Sequence, residues 1–269
     1  EAMGLSLPGC AAIPAVYSQR MRISFESGLA IMDLVRKNIR ARDIVTLQAI
    51  ENAVRVNSAI GGSTNAVLHM LAIAYEARVK FDIKDFGRVA QEVPHLVAMI
   101  PAGSYVLLDF YEAGGIPALM NEIKDKLALD NMTCTGKTLR ENLEEYGENR
   151  NPDVIHPLAN PVHTVSGIGI LHGNLAPEGA VTKPSAIPQA AHDFTGKAVI
   201  FESEQDALEG IRALKIKPGD VVVIRNEGPR GGPGMPEQYK AMKLLVGMKL
   251  GDKVCLITDG RFSGSNNGC

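Results

Sequence analysis

Apolar and polar positions follow a helical spacing through the first half of the chain and collect into short strand-length runs in the second. Between residues 26 and 57, Leu29, Ile31, Met32, Leu34, Val35 and Ile39 are interleaved with Arg36, Lys37, Arg40 and Arg42, and Asp43 to Val56 continues in the same manner. Apolar residues recurring every three or four positions predict amphipathic helices. Gly61-Gly62-Ser63-Thr64 breaks the pattern, and Ser63 or Thr64 can cap a helix that starts with Ala66. Val67, Leu68, Leu71, Ile73 and Ala74 make that helix apolar nearly all round, which predicts a buried helix. Phe86 to Met99 and Glu112 to Leu127 are further candidates, the second opened by Gly114-Gly115. Thr138 to Tyr146 is another, with Thr138 as N-cap and Glu141 at the third helical position of a capping box.

Near Gly147 the character changes. Asn149, Asn151, Pro152, Pro157, Asn160 and Pro161 crowd a segment of connector composition. Strand signals follow at Ile168–Leu171, Lys197–Phe201, Val221–Ile224 and Val254–Ile257, with short helices such as Glu204 to Ala213 between them. The pattern predicts an α/β chain: an α-rich part over residues 1–155 and a β-rich part with crossover helices over 156–269.

Composition narrows the classes. Of 269 residues 45% are hydrophobic, enough to bury a core. A net charge of −2 gives no general attraction to nucleic acid or an anionic membrane. No apolar run reaches the roughly 18 to 20 residues that span a bilayer. The opening EAMGLSLPGC lacks the basic and apolar regions of a secretory signal, and the chain reads as an internal portion of a longer protein. Cys10, Cys134, Cys255 and Cys269 form no CxxC pair and no zinc-finger spacing, so a reducing, cytoplasmic setting is expected, or an organelle in a eukaryote.

Candidate chemistry concentrates in Val221 to Cys269. An apolar run empties into a loop with Gly228, Gly231, Gly232 and Gly234; a second run, Val254 to Thr258, ends in Asp259-Gly260-Arg261-Phe262-Ser263-Gly264-Ser265. Glycine lets backbone approach a ligand, and loops on a rigid scaffold are where chemistry collects. Glu237 and Ser263 stand at the two loop regions. Read alone, Glu237 is a solvated glutamate at a helix start and Ser263 a turn former without the Gly-x-Ser-x-Gly elbow of hydrolases. Glu227 sits at a strand end without an assignable role. Gly61 to Asn65 offers amides to an anion, or is a close packing point with a good cap. Residues 173–179 read as a structural turn. The six histidines show no HxH or HExxH spacing, and His69 reads as a core residue.

Four segments carry a resemblance. GGSTNAVLHMLAIA (61–74), YEAGGIPALMNEI (111–123), HGNLAPEGAV (172–181) and GPRGGPGMPE followed by ITDGRFSG resemble, in order, the dihydroxy-acid dehydratase / 6-phosphogluconate dehydratase family. The resemblance implies an N-terminal α/β domain, present here in its later, helical part. It also implies a barrel-like C-terminal domain similar to the swivelling domain of aconitase, incomplete at its end. It implies Ser263 as the base that removes the proton α to the carboxylate, and Glu237 as a ligand of Mg²⁺. A serine alkoxide needs a neighbouring cation or positive dipoles to lower its pKa. Ser265 is expected at the substrate carboxylate or hydroxyl. An iron–sulfur cluster is implied with its cysteines upstream of Glu1, none of them in this chain, along with the remaining Mg²⁺ ligands.

The activity implied is dehydration of a 2,3-dihydroxy carboxylic acid to a 2-keto acid by a homodimer or homotetramer, with no nucleic-acid or membrane partner. GPGMPE, LGDKVCLITDGRFSG and NLAPEGAV favour the branch serving branched-chain amino-acid biosynthesis. Val181-Thr182-Lys183-Pro184-Ser185-Ala186 and the departure at Asn266-Asn267 keep a sugar-acid (aldonate) dehydratase as the alternative. A noncatalytic anion-binding module is the alternative of another class. The chain by itself, lacking those ligands, is expected to be inactive.

Overall fold

The computed structural model describes residues 1–188, 191–229 and 236–262. The chain forms two compact units, Glu1–Gly62 with Ala66–Ser185, and Ser63–Asn65 with Ala186–Cys269.

The first unit is mainly helical: α1 (Ser18–Arg36), α2 (Ala41–Ile44), α3 (Leu47–Ala59), α4 (Asn65–Ala77), α5 (Ile83–Ala90), α6 (Leu107–Glu112), α7 (Gly115–Glu122) and α8 (Leu139–Tyr146). Helix starts follow the capping chemistry of the sequence. Asp82 accepts from the amides of Lys84 (2.8 Å) and Asp85 (3.0 Å), and Asp85 reaches back to the Asp82 amide. Thr138 accepts from the Glu141 amide at 3.3 Å while Glu141 accepts from the Thr138 amide at 2.7 Å, the reciprocal box predicted above. The core gathers Ile50 and Val54 of α3, Phe86 and Val89 of α5, Phe110, Leu119, Ile123, Ile155 and Ile168. A short antiparallel pair, β1 (Gly169–Leu171) and β2 (Ala180–Thr182), packs on α5.

Three expectations are corrected in this unit. The helix predicted over Phe86 to Met99 ends at Ala90. Pro94 has no amide to donate and pushes Val93 out of the helical region. The chain beyond runs extended instead: the Leu96 amide bonds to Ala59 (2.7 Å) and that of Ala98 to Val154 (3.0 Å). The second concerns α4, whose all-round apolar pattern predicted full burial. Only Val67 and Ala74 are buried, and Tyr75 is 80% exposed. A pattern apolar on every side does not say which side meets the core. Third, the connector composition after Gly147 hides core residues: Val154 and Ile155 are fully buried, with Val97 bridged to Ile155.

One crossing fixes the end of α3. Gly61 has a left-handed φ of 61°, and a side chain there would meet His95 Nε2 at 2.7 Å. Gly167 lies so close that a side chain on it would meet Gly61 Cα at 2.5 Å. His95 is buried and stacks on His163 with ring centroids 5.2 Å apart. Their Nδ1 atoms are 2.9 Å apart, so one carries the shared proton and the other accepts.

The second unit is a β-α-β-α-β arrangement: β3 (Lys197–Phe201), α9 (Glu204–Arg212), β4 (Asp220–Ile224), α10 (Tyr239–Gly247) and β5 (Cys255–Thr258). All three strands are parallel in the order β3-β4-β5, with Val199 opposite Val222 and Val222 opposite Leu256. Parallel strands need crossovers, and α9 and α10 supply them. Phe201, Ile211, Val222, Ile224, Ala241, Leu245 and Leu256 form the core between helices and sheet. The mixed helix and sheet architecture agrees with the α/β expectation. Both sheets are open among the described residues, so the barrel expected for 156–269 does not appear in them.

His95 generates a prediction. Burial above all, then the charges of His163 and Lys183, push its pKa from 6.5 to about 4. The folded state therefore resists the proton that the unfolded chain accepts. The stability this contributes is full above pH ~6.5 and is lost as pH falls toward 4, by ~3 kcal/mol at most. In urea titrations from pH 7 to pH 4, the stability gap between the parent and His95→Asn should shrink as pH falls. A gap constant with pH would contradict this assignment.

Candidate active site

The candidate residues of the second unit lie at the carboxyl ends of its parallel strands, where α/β sheets place ligands. The three turns after β3, β4 and β5 are tied by carboxylates. Asp259, just past β5, accepts from the amides of Asn226 (2.9 Å) and Glu227 (3.0 Å) after β4. Asn226 takes a left-handed φ of 65° to present that pair. Glu227 accepts from the amide of Glu204, the first residue of α9, at 2.6 Å. Glu204 in turn accepts from the amides of Lys240 (3.2 Å) and Ala241 (3.3 Å) at the start of α10. Free amides at helix starts favour negative groups, so each carboxylate has a partner suited to it. Glu227, which sequence could not place, is thus a buried capping residue.

Glu237 stands where the chain enters α10, bridged in parallel fashion to Arg261 in the turn after β5. The Gln238 amide bonds to the Arg261 carbonyl at 2.9 Å. The Glu237 carboxylate has two named neighbours. Asn65 Nδ2 donates to its Oε1 at 3.0 Å and Arg261 Nη1 donates to the same oxygen at 3.1 Å. Both lie in motifs singled out above, GGSTN and DGRFSG, but nothing in a sequence couples position 65 to 237. Ser263 and Ser265 lie outside the described residues.

Several buried polar atoms near this carboxylate lack partners: Oδ1 of Asn65, Oγ1 of Thr64 and both amide atoms of Gln238. Native proteins satisfy nearly all such groups, so a polar ligand or ordered water is expected beside them. No group of three or more His, Cys, Asp or Glu side chains among the described residues is placed to hold a metal ion. Glu237 offers one carboxylate, and Asn65 Oδ1 a second hard oxygen on the amide that touches it. Such oxygens suit Mg²⁺ and fill part of its six-coordinate shell. Burial above all pushes the thiols of Cys10, Cys134 and Cys255 up from their ordinary value.

The model of the dihydroxy-acid/6-phosphogluconate dehydratase N-terminal domain matches residues 1–142, and that of the C-terminal domain of the same family matches 153–269. The chain belongs to this dehydratase family. It is 50% identical over 268 residues to the dihydroxy-acid dehydratase of Methanoregula boonei, covering 100% of this chain and 48% of that protein. Identity to the dihydroxy-acid dehydratase of Sulfurisphaera tokodaii is 49% over 272 residues, covering 100% of this chain and 48% of the relative. Dihydroxy-acid dehydratase 2 of Mesorhizobium japonicum is 48% identical over 270 residues, again with 100% of this chain and 46% of the relative covered. The chain spans about half the length of these family members. No helix among the described residues is long and apolar enough to cross a membrane.

The two glutamates should separate on substitution. Glu227→Ala should lower unfolding stability by about 1–2 kcal/mol through the lost cap. Glu227→Gln, whose amide oxygen still accepts, should lose less. Urea denaturation checks this; an unchanged midpoint for Glu227→Ala would remove the capping role.

Proposed function

We propose that the intact protein containing this chain dehydrates a 2,3-dihydroxy carboxylic acid to a 2-keto acid. What carries the reading is the family match across both halves of the chain, with relatives at about 50% identity named dihydroxy-acid dehydratase. The branched-chain acid of amino-acid biosynthesis is the substrate we favour, and a sugar acid is the second reading, supported by the Lys183-Pro184-Ser185-Ala186 stretch. A noncatalytic anion-binding module is disfavoured by the same family match.

In this reading Glu237 and Asn65 hold the substrate end of the site. Glu237 is oriented by Asn65 and Arg261, and the Arg261 guanidinium offsets its charge while leaving the second carboxylate oxygen for a ligand. With Asn65 Oδ1, that oxygen would hold Mg²⁺, which when bound supplies Lewis acidity and lowers the pKa of adjacent hydroxyls. Ser263 Oγ takes the proton from C2. The electron pair left at C2 forms the double bond to C3, the C3 hydroxyl departs, and the enol becomes the 2-keto acid by tautomerisation. Ser265 contacts the substrate carboxylate or hydroxyl. The iron–sulfur cluster belongs, in this proposal, to residues of the intact protein outside this chain, and when bound it would supply the Lewis acidity that accepts the departing C3 hydroxyl. The proposed assembly is a homodimer or homotetramer in the cytoplasm. The proposed domains are 1–155 and 156–269, the second completed in the intact protein as a barrel-like module.

Purified intact protein tested against dihydroxyisovalerate and a panel of aldonates should form 2-keto acid from one class; no turnover of either would end the proposal. In the active enzyme Ser263→Ala should lower kcat by ~10²- to 10⁴-fold, as expected for a lost general base. Solvent deuterium exchange at C2 should fall with it. Glu237→Gln should instead raise the Mg²⁺ concentration needed for activity and be partly rescued by excess metal. Near-normal exchange in Ser263→Ala would move the base to another group.

A further inference from the structure

Helix α1 (Ser18–Arg36) rests on its own unit along one side only. Leu34 is buried, and Ile23 and Ala30 on the same side are half-buried. The opposite side carries Met21, Phe25, Met32 and Val35, with Met21 76%, Phe25 70% and Val35 66% exposed. Leu29 and Ile31 flank them and are more than half exposed. Contiguous exposed apolar patches of this kind mark surfaces that meet another molecule.

Gly28 stands at the middle of this apolar side. Glycine inside a helix is destabilising relative to alanine, and its use is to let another backbone come close. A side chain built on Gly28 would find nothing within 4 Å, so no contact among the described residues requires glycine there. Met21 and Val35 stand seven residues to either side of it, Phe25 three before and Met32 four after. Steps of four, three, four and three are the spacing of a helix–helix seam. Turned end for end about Gly28, the seam maps onto itself, which a two-fold interface between identical chains requires. Charge agrees with this. Arg22 and Asp33, both exposed, are eleven residues apart and so only ~20° apart around the helix axis, on one flank of the seam. Antiparallel pairing sets Arg22 of each copy beside Asp33 of the other, whereas parallel pairing sets like charge against like. The Asp33 carboxylate already accepts from Arg36 Nη1 at 2.8 Å, with both side chains exposed, and Arg22 of a second copy adds a contact to it.

We infer that α1 pairs antiparallel with α1 of a second copy of this chain, the two helices crossing at Gly28. Met21 then faces Val35 of the second copy, and Phe25 faces its Met32. A helix of 19 residues is ~28 Å long, enough to form the apolar centre of an interface of about 800 Å² per partner. The inference does not rest on the dehydratase reading; it names a surface for the assembly proposed with it.

The test uses the intact protein, with association read by sedimentation equilibrium and folding by circular dichroism. Phe25→Glu alters an exposed position and should raise the dissociation constant of the assembly at least ~30-fold with helicity unchanged. Arg22→Asp should raise it about tenfold by setting like charges together at both ends of the seam. Adding Asp33→Arg to Arg22→Asp should bring it back to within about threefold of the parent. This charge-swapped pair lies wholly on the surface and decides the matter should Phe25→Glu fail to fold. Under mild oxidation, the variant carrying both Met21→Cys and Val35→Cys should form a covalent dimer, with positions 21 and 35 joined in its cross-linked peptides. Neither single variant should join like positions, which lie ~20 Å apart in the antiparallel pair. A monomeric parent, an unchanged dissociation constant in Phe25→Glu, no recovery in the charge-swapped pair, or a disulfide between like positions would overturn the inference. Lower stability of Phe25→Glu at unchanged mass would overturn it too, by showing that the rest of the intact chain covers the stripe. A monomeric parent that still turns over substrate would leave the dehydratase reading standing.

Discussion

The second unit depends on the carboxylate of Asp259. Three parallel strands end in three separate turns, and hydrogen bonds within the strands do not fix where those turns point. Asp259 binds the amides of Asn226 and Glu227, so the turns after β4 and β5 become one structure. Glu227 then holds the start of α9, and Glu204 holds the start of α10. Glu237 enters α10 immediately before those amides. Its position is set by this relay together with the backbone pairing to Arg261.

The relay also explains why one loop region carries two glutamates of different character. Glu227 is buried with its carboxylate spent on a helix start. Glu237 is partly exposed, and its bonds come from an amide and a guanidinium, both side chains able to rearrange around a ligand. A carboxylate bound to backbone amides is a fixed part of the fold. One bound to side chains can give up a contact. That difference, rather than the residue type, marks Glu237 as the chemical candidate.

In the first unit the governing constraint is steric. Gly61 and Gly167 meet backbone to backbone, with His95 stacked against Gly61. The crossing buries the His95 imidazole against His163, and burial above all holds it neutral near pH 7.

Local chemistry explains what was legible in the sequence. The β3 run from Lys197 to Phe201, the capping box at Thr138 and Glu141, and the start of α9 all depend on residues close in the chain, so pattern alone located them. The four motifs, each long and in order, carried the family. Where the pattern misled, distant partners decided. Pro94 ended α5 early, but only the carbonyls of Ala59 and Val154 made the extended path beyond it favourable. The apolar faces of α4 were visible, but not which of them would be covered. The pairing of Asn65 with Glu237 spans 172 positions, the stacking of His95 on His163 spans 68, and the capping role of Glu227 depends on a helix start 23 residues earlier. Spacing and hydropathy describe neighbours along the chain; which amide meets which carboxylate is settled only when packing brings the strand ends together.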